Sequence, residues 1–197
     1  MELELILVDP HNGVCDAWRA AFAGLPRVEV VHGVFEDIAD FECMVSPANA
    51  FGLMDGGVDQ AITDFFGDQL QRRVQAHIIE HYRGEQPIGT SFVIATDHGR
   101  HPWLAHTPTM RVPMAIVQTQ NVYNAMWAML LAVAAHNRTD APPIRRIACP
   151  GLGTGAGQMR FDEAARQMAC AYRLFLEPPS SLDWLYANRR NRLIAGQ

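Results

Sequence analysis

Two stretches of this chain pair glycine-rich backbone with side chains able to do chemistry. The first runs Ser46-Pro47-Ala48-Asn49-Ala50-Phe51-Gly52-Leu53-Met54-Asp55-Gly56-Gly57-Val58-Asp59, between an apolar run and helical text. The first amides of a helix lack intrahelical partners and sit at the positive end of its dipole, so they suit an anion. Gly56 and Gly57 let the backbone approach a diphosphate with no Cβ in the way. Asn49 at the strand end and Asp59 in the first helical turn can point into one crevice. The alternative is a plain strand-to-helix turn in which Asp59 only caps its helix. The second stretch, Pro150-Gly151-Leu152-Gly153-Thr154-Gly155-Ala156-Gly157-Gln158-Met159, also lies between a strand and a helix. Four alternating glycines make an amide-rich arc of the kind that nests anions. Gly151-x-Gly153-x-x-Ala156 fits the relaxed dinucleotide fingerprint only weakly, because no second βαβ half comes after it.

Other reactive groupings are weaker. His77-Ile78-Ile79-Glu80-His81 matches an inverted zinc-protease pattern, yet no third ligand stands out, so a polar helix face with solvated imidazoles is favoured. Arg189, Arg190 and Arg192 lie beside Trp184 and Tyr186 in a basic tail, read as a solvated segment or a flap packed on the core. The four cysteines form no C-x-x-C pair and read as buried free thiols.

The elements that must position the loops are set by patterning. The 197 residues suit one domain, and 49% hydrophobic and 19% charged composition is that of a globular protein. A net charge of −5 supplies no basic field for duplex nucleic acid, which disfavours that partner without excluding it. No run approaches the roughly 20 apolar residues of a membrane span. The start lacks the marks of an export signal, so the expected compartment is cytoplasmic. Strands are expected at 3–8, 28–31, 41–45, 91–96, 103–106 and 144–149. Helices are expected at 15–22, 58–66, 68–82, 121–135 (with Thr119 as cap) and 161–176, ending before Pro178-Pro179. Strands alternating with helices predict a mixed, largely parallel sheet covered on both faces, with ligands beyond the carboxyl ends of the strands.

Taken together, the loops resemble those of the macrodomain family. Ser46 to Ile62 resembles, without a gap, the signature in which Asn-Ala-Ala-Asn leads through glycines to Val-Asp. Asn49 falls on the second Asn, Gly56-Gly57 on the glycines and Val58-Asp59 on the Val-Asp. Pro150 to Gly157 resembles the second phosphate loop, with Gly153-Thr154-Gly155 on its Ser-Thr-Gly core. Val30 to Ile38 loosely resembles the opening strand and its Gly-Asp-Ile-Thr turn. The resemblance implies a three-layer α/β/α macrodomain over residues 1–177, with 178–197 as a C-terminal tail.

It also implies an ADP-ribose cleft. Ser46, Ala48, Gly56, Gly57 and Val58 would hold distal ribose and diphosphate, and Gly153, Thr154, Gly155, Ala156 and Gly157 the diphosphate from the other side. Adenine would lie near Gly33, Val34 and Phe35. In hydrolytic members a carboxylate orients a water near C1″, which implies Asp59 for the water and Asn49 for the ribose hydroxyls. The expected partner is ADP-ribose or an ADP-ribosylated target, with no cofactor and no metal. A binding module without chemistry, or a structural relative without a ligand, are the alternatives.

Several positions depart from the family pattern. Val34 stands where the turn has its adenine-reading Asp, with Glu36 and Asp37 as candidate substitutes. Ser46 replaces the first Asn, and Thr63 stands where some hydrolytic members carry a His. Gly157-Gln158-Met159 replaces an aromatic that packs on the distal ribose, leaving Phe51 and Phe161 as candidates. Asp55 puts a carboxylate into a run that is usually all glycine. Beside a diphosphate it would repel, unless it turns away or pairs with a cation.

Overall fold

The computed structural model describes residues 3–197. The strands are β1 (Glu4–Asp9), β2 (Val28–His32), β3 (Cys43–Ser46), β4 (Phe92–Ala95), β5 (Trp103–His106) and β6 (Arg146–Cys149). The helices are α1 (Asn12–Ala21), α2 (Gly57–Phe66), α3 (Gln69–Tyr82), α4 (Asn121–His136), α5 (Phe161–Leu176) and α6 (Trp184–Ala195). They form one six-stranded sheet in the order β2-β1-β6-β3-β5-β4. The pairs from β2 across to β5 are parallel, and β4 joins β5 antiparallel.

Alternation along the strands assigns the two faces. Leu5, Leu7, Cys43, Val45, Ile147 and Cys149 point to one core, where α1, α4 and α5 contribute Trp18, Met126 and Met168. Ile6, Val8, Met44, Leu104 and Ala148 point to the other, against Ile62 of α2 and Leu70, Val74 and Ile78 of α3. Strands covered on both faces have no need of polar alternation, which is why they read as continuous apolar runs. The result is the expected three-layer α/β/α arrangement.

Boundaries shift where side chains intervene. Ile144 stays outside β6 because the Asn137 side chain takes both its N–H (2.7 Å) and its C=O (2.6 Å). Gln120, not Thr119, holds the N-cap position of α4. The Thr119 hydroxyl instead accepts from the Asn121 amide at 3.3 Å in a turn just before the helix.

The tail differs more. Residues 184–195 form α6, capped by Asp183, whose carboxylate accepts from the Tyr186 amide at 2.7 Å. Arg190 wedges this helix against α4. Its guanidinium donates to the Tyr123 hydroxyl at 2.7 Å and lies 4.2 Å over the Trp127 ring. Arg166 of α5 donates to the carbonyls of Leu193 and Ile194 in the last turn of the helix. No residue of α6 is fully buried, so docking rests on these few contacts. A cation–π contact and a charged hydrogen bond together contribute about 1–3 kcal/mol. Arg190→Ala should therefore speed hydrogen exchange of the α6 amides by roughly tenfold and leave the sheet amides unchanged. Unchanged exchange in α6 would mean that Arg166 and Ile194 suffice to hold it.

Candidate functional site

Loop one is shaped by hydrogen bonds to its own backbone and to α2 and α3. The Asn49 carboxamide accepts from the amides of Phe51 (3.0 Å) and Leu53 (3.3 Å) and donates to the Leu53 carbonyl (2.7 Å). Buried Met54 gives its N–H to Gln71 of α3 at 2.7 Å, and its carbonyl accepts from the Thr63 hydroxyl at 3.0 Å. Gly52 has φ +63°, and a Cβ there would lie 2.7 Å from Val74. Beyond this anchored stretch Asp55, Gly56 and Gly57 are exposed, with Gly57 at φ +57°. Gly56 takes the N-cap position of α2, and no side chain among the described residues caps that helix.

Loop two obeys the same logic. A Cβ on Gly151 would strike the Thr154 hydroxyl and come within 2.9 Å of Asp9. Gly153 has φ +71°, and a Cβ there would lie 2.9 Å from both Ile116 and Val122. One on Gly157 would collide with the Gly153 carbonyl. The space beside Gly155 is open. Three glycines therefore let the loop fold tightly onto buried Leu152 and Ile116, and Gly155 is presented to the cleft.

Between the loops lies a cleft of two hollows. The outer one, about 430 Å³, is bounded by the ends of β1 and β2, and the inner one, about 340 Å³, by loop one and residues 109–113. Gly57, Val58, Gly151 and Gly155 line both hollows and mark where they meet. Neither hollow has a lysine or arginine in its lining, whereas Asp9, Glu36, Asp55 and Asp59 all contribute. An anion here would meet backbone amides and the α2 dipole, with His11 and Thr154 as the side-chain donors of the outer hollow.

Asp59 does not cap its helix. It is 7% exposed, and one carboxyl oxygen accepts from the fully buried Ser46 hydroxyl at 2.7 Å. Burial pushes its pKa up to about 7, while the Ser46 hydrogen bond pulls the other way.

A family profile described as the Macro domain matches residues 45–168, more than half of the chain and both loops. The chain belongs to the macrodomain family. An uncharacterized protein of Aquifex aeolicus (strain VF5) is 29% identical over 148 residues, covering 75% of this chain and 82% of that one. Among solved structures, the macrodomain of Mycobacterium tuberculosis DarG matches at TM-score 0.57 and 20% identity, over 68% of this chain and 83% of that one. The Oceanobacillus iheyensis macrodomain with ADP matches at 0.57 and 22%, over 68% and 70%. A variant of it with ADPR matches at 0.61 and 19%, over 92% and 83%. At these identities the structural likeness establishes the fold.

The macrodomain cleft gathers most of the residues expected from the sequence. Val34 and Phe35 line the outer hollow, with Glu36 beside them. Ala48, Asn49, Gly56, Gly57, Val58, Asp59, Gly153, Gly155, Ala156 and Gly157 line the inner one, and Thr154 the outer. Ser46 lies behind the loop as the partner of Asp59. Phe161 lines the outer hollow and not the inner one, and Phe51 lines neither. His77 packs on Phe92 with ring centroids 4.0 Å apart. No group of three or more His, Cys, Asp or Glu able to hold a metal occurs among the described residues.

Asp9, Pro10 and His11 also line the outer hollow, and the sequence reading does not single them out. Asp9 ends β1 and accepts from the Gly151 amide at 3.3 Å and the His11 amide at 2.9 Å. A signal for them exists: a strand ending in Asp-Pro belongs at the carboxyl edge of the sheet, where ligands bind.

The buried carboxyl has a consequence for stability. With a folded pKa near 7 against an ordinary 3.8, native Asp59 holds its proton where the unfolded chain has lost it. Its contribution is most favourable below about pH 4 and is lost as pH rises to about 7, at roughly 1.4 kcal/mol per unit. Asp59→Asn can keep the Ser46 bond and removes this dependence. Urea unfolding should show the variant gaining on wild type between pH 4 and 8, by up to about 4 kcal/mol. A constant difference across that range would mean that Asp59 is hydrated in the native state.

Proposed function

We propose that this macrodomain binds ADP-ribose, with adenosine in the outer hollow, the diphosphate on the glycine amides and the distal ribose in the inner hollow. The observation that carries the reading is the meeting of two hollows at Gly57, Val58, Gly151 and Gly155, where a diphosphate can be met by backbone N–H groups from two sides. The related folds with ADP and with ADPR support it. We further propose that the protein releases ADP-ribose from a modified target or processes an ADP-ribose derivative. Asp59 would orient a water near C1″, and Asn49 would line the ribose site beside it. The four unpaired thiols suit a reducing compartment, and we assign the protein to the cytoplasm on that ground.

One observation favours a second reading, a binder without turnover. Both ends of the Asn49 carboxamide are already engaged by its own loop, and Thr63, where a His assists in some relatives, bonds to Met54 and Asp59 carbonyls.

Calorimetry with ADP-ribose, beside AMP and ADP as controls, tests the binding reading. Micromolar affinity is expected, and it should be lost in Gly155→Glu, which has room for a side chain and so can fold while putting a carboxylate where phosphate would lie. Absence of binding at millimolar ligand overturns it. If the protein is a hydrolase, Asp59→Asn should cut turnover by about 10²- to 10⁴-fold with ligand still bound. Tight binding by wild type with no product after long incubation would favour the pure binder.

A further inference from the structure

The inner hollow carries a charge pattern that bears on what can be attached to the ligand's far end. Its ionisable lining groups are Asp55 and Asp59, and the rest of the wall is neutral: Ala48, Leu53, Thr109, Met110, Pro113 and the glycines. Asp55 is exposed, and no ion pair among the described residues involves it. Arg111, next to Met110 of the wall, gives its guanidinium to Glu85 at 2.7 Å. No arginine or histidine among the described residues therefore pairs with Asp55. Leu53 and Pro113 line the hollow, and Val112 and Met114, the chain neighbours of Pro113, are about half exposed, as is Leu53.

We propose that Asp55 is a specificity determinant that rejects ligands bearing an anionic group on C1″ of the distal ribose and admits those bearing a neutral or cationic one, such as a polypeptide side chain. The inference rests on the proposed ADP-ribose site and narrows its substrate class. A phosphate on C1″ would enter a hollow with an uncompensated carboxylate at its entrance and no cation in its wall. Like charges a few ångströms apart repel, and the repulsion weakens with added salt. Exposed apolar side chains beside the hollow suit a polypeptide acceptor, and the one arginine next to the wall, Arg111, is engaged by Glu85 and so is a poor anchor for a nucleic-acid backbone.

Calorimetry with ADP-ribose and ADP-ribose-1″-phosphate, on wild type and Asp55→Asn, reads this directly. In wild type at low salt the 1″-phosphate should bind at least roughly tenfold more weakly, and at about 1 M salt the gap should shrink. In Asp55→Asn it should narrow to about threefold or less at low salt. Equal affinities in wild type would overturn the inference, as would a gap that Asp55→Asn leaves intact. Tighter binding of an ADP-ribosylated oligonucleotide than of an ADP-ribosylated peptide would also overturn it. Failure of ADP-ribose itself to bind would instead overturn the proposed site, so the two failures are distinguishable.

Discussion

The cleft depends on the parallel pairing of β3 with β6, which is only two residue pairs long, Cys43 with Ile147 and Met44 with Ala148. Adjacent parallel strands lie about 4.8 Å apart and end at the same edge of the sheet. The segments after Ser46 and Cys149 must therefore emerge side by side, and each of them is a glycine loop. On its other side β6 pairs with β1, and β1 with β2, so Asp9 and the Gly33–Phe35 turn emerge along the same edge. Strands β1, β3 and β6 contribute side chains to both cores, and a one-residue slip would exchange their faces. The hydrophobic pattern that stabilises the sheet thus also places the two loops opposite each other.

A cleft without lysine or arginine makes a particular demand on the backbone. Amides act on an anion only when they converge, and convergence in an exposed loop requires that the loop be held from behind. Asn49, Gln71 and Thr63 do this for loop one, Ile116, Leu152 and Asp9 for loop two. This explains a division among the glycines. At Gly52, Gly151, Gly153 and Gly157 a Cβ would collide with neighbouring protein, whereas Gly56, Gly57 and Gly155 border open space. The first group permits the fold of the loops, and the second leaves room for a ligand in front of them.

Much of this is readable from the residues. Both loops stand out because glycine spacing between a strand and a helix is a local signal. The sheet's class comes from apolar runs alternating with helical ones. Less can be read where the deciding fact is who packs against whom. Helix α6 carries arginines and asparagines with no continuous apolar stripe, so its periodicity is weak, and its docking depends on Arg190 finding Tyr123 and Trp127. Phe161 can be named as an aromatic near the second loop, but only the packing of α5 against α1 shows which hollow it lines. Whether Asp59 caps α2 or turns inward is undecidable from its neighbours in sequence. A residue in the first turn serves equally well for either.

The inward turn of Asp59 matters because a buried carboxyl with one hydrogen-bond donor is poised between two states. Burial favours the acid, and the Ser46 hydroxyl favours the carboxylate. Holding an aspartate fully ionised in such a place takes about two or three donors, and Ser46 is one. A group titrating close to working pH is what general-base chemistry prefers. On the proposed reading, however, an arriving diphosphate adds like charge to the same cleft and pushes the group further towards its acid form. Binding and proton abstraction therefore make opposite demands on Asp59, and among the described residues Ser46 is the side chain whose hydrogen bond shifts the balance towards the base. On that reading the serine, standing where the family pattern has an asparagine, acts on the cleft through the carboxyl it bonds to. That role also explains why the residue is wholly buried at the end of β3, where it touches Asp59 and lines neither hollow.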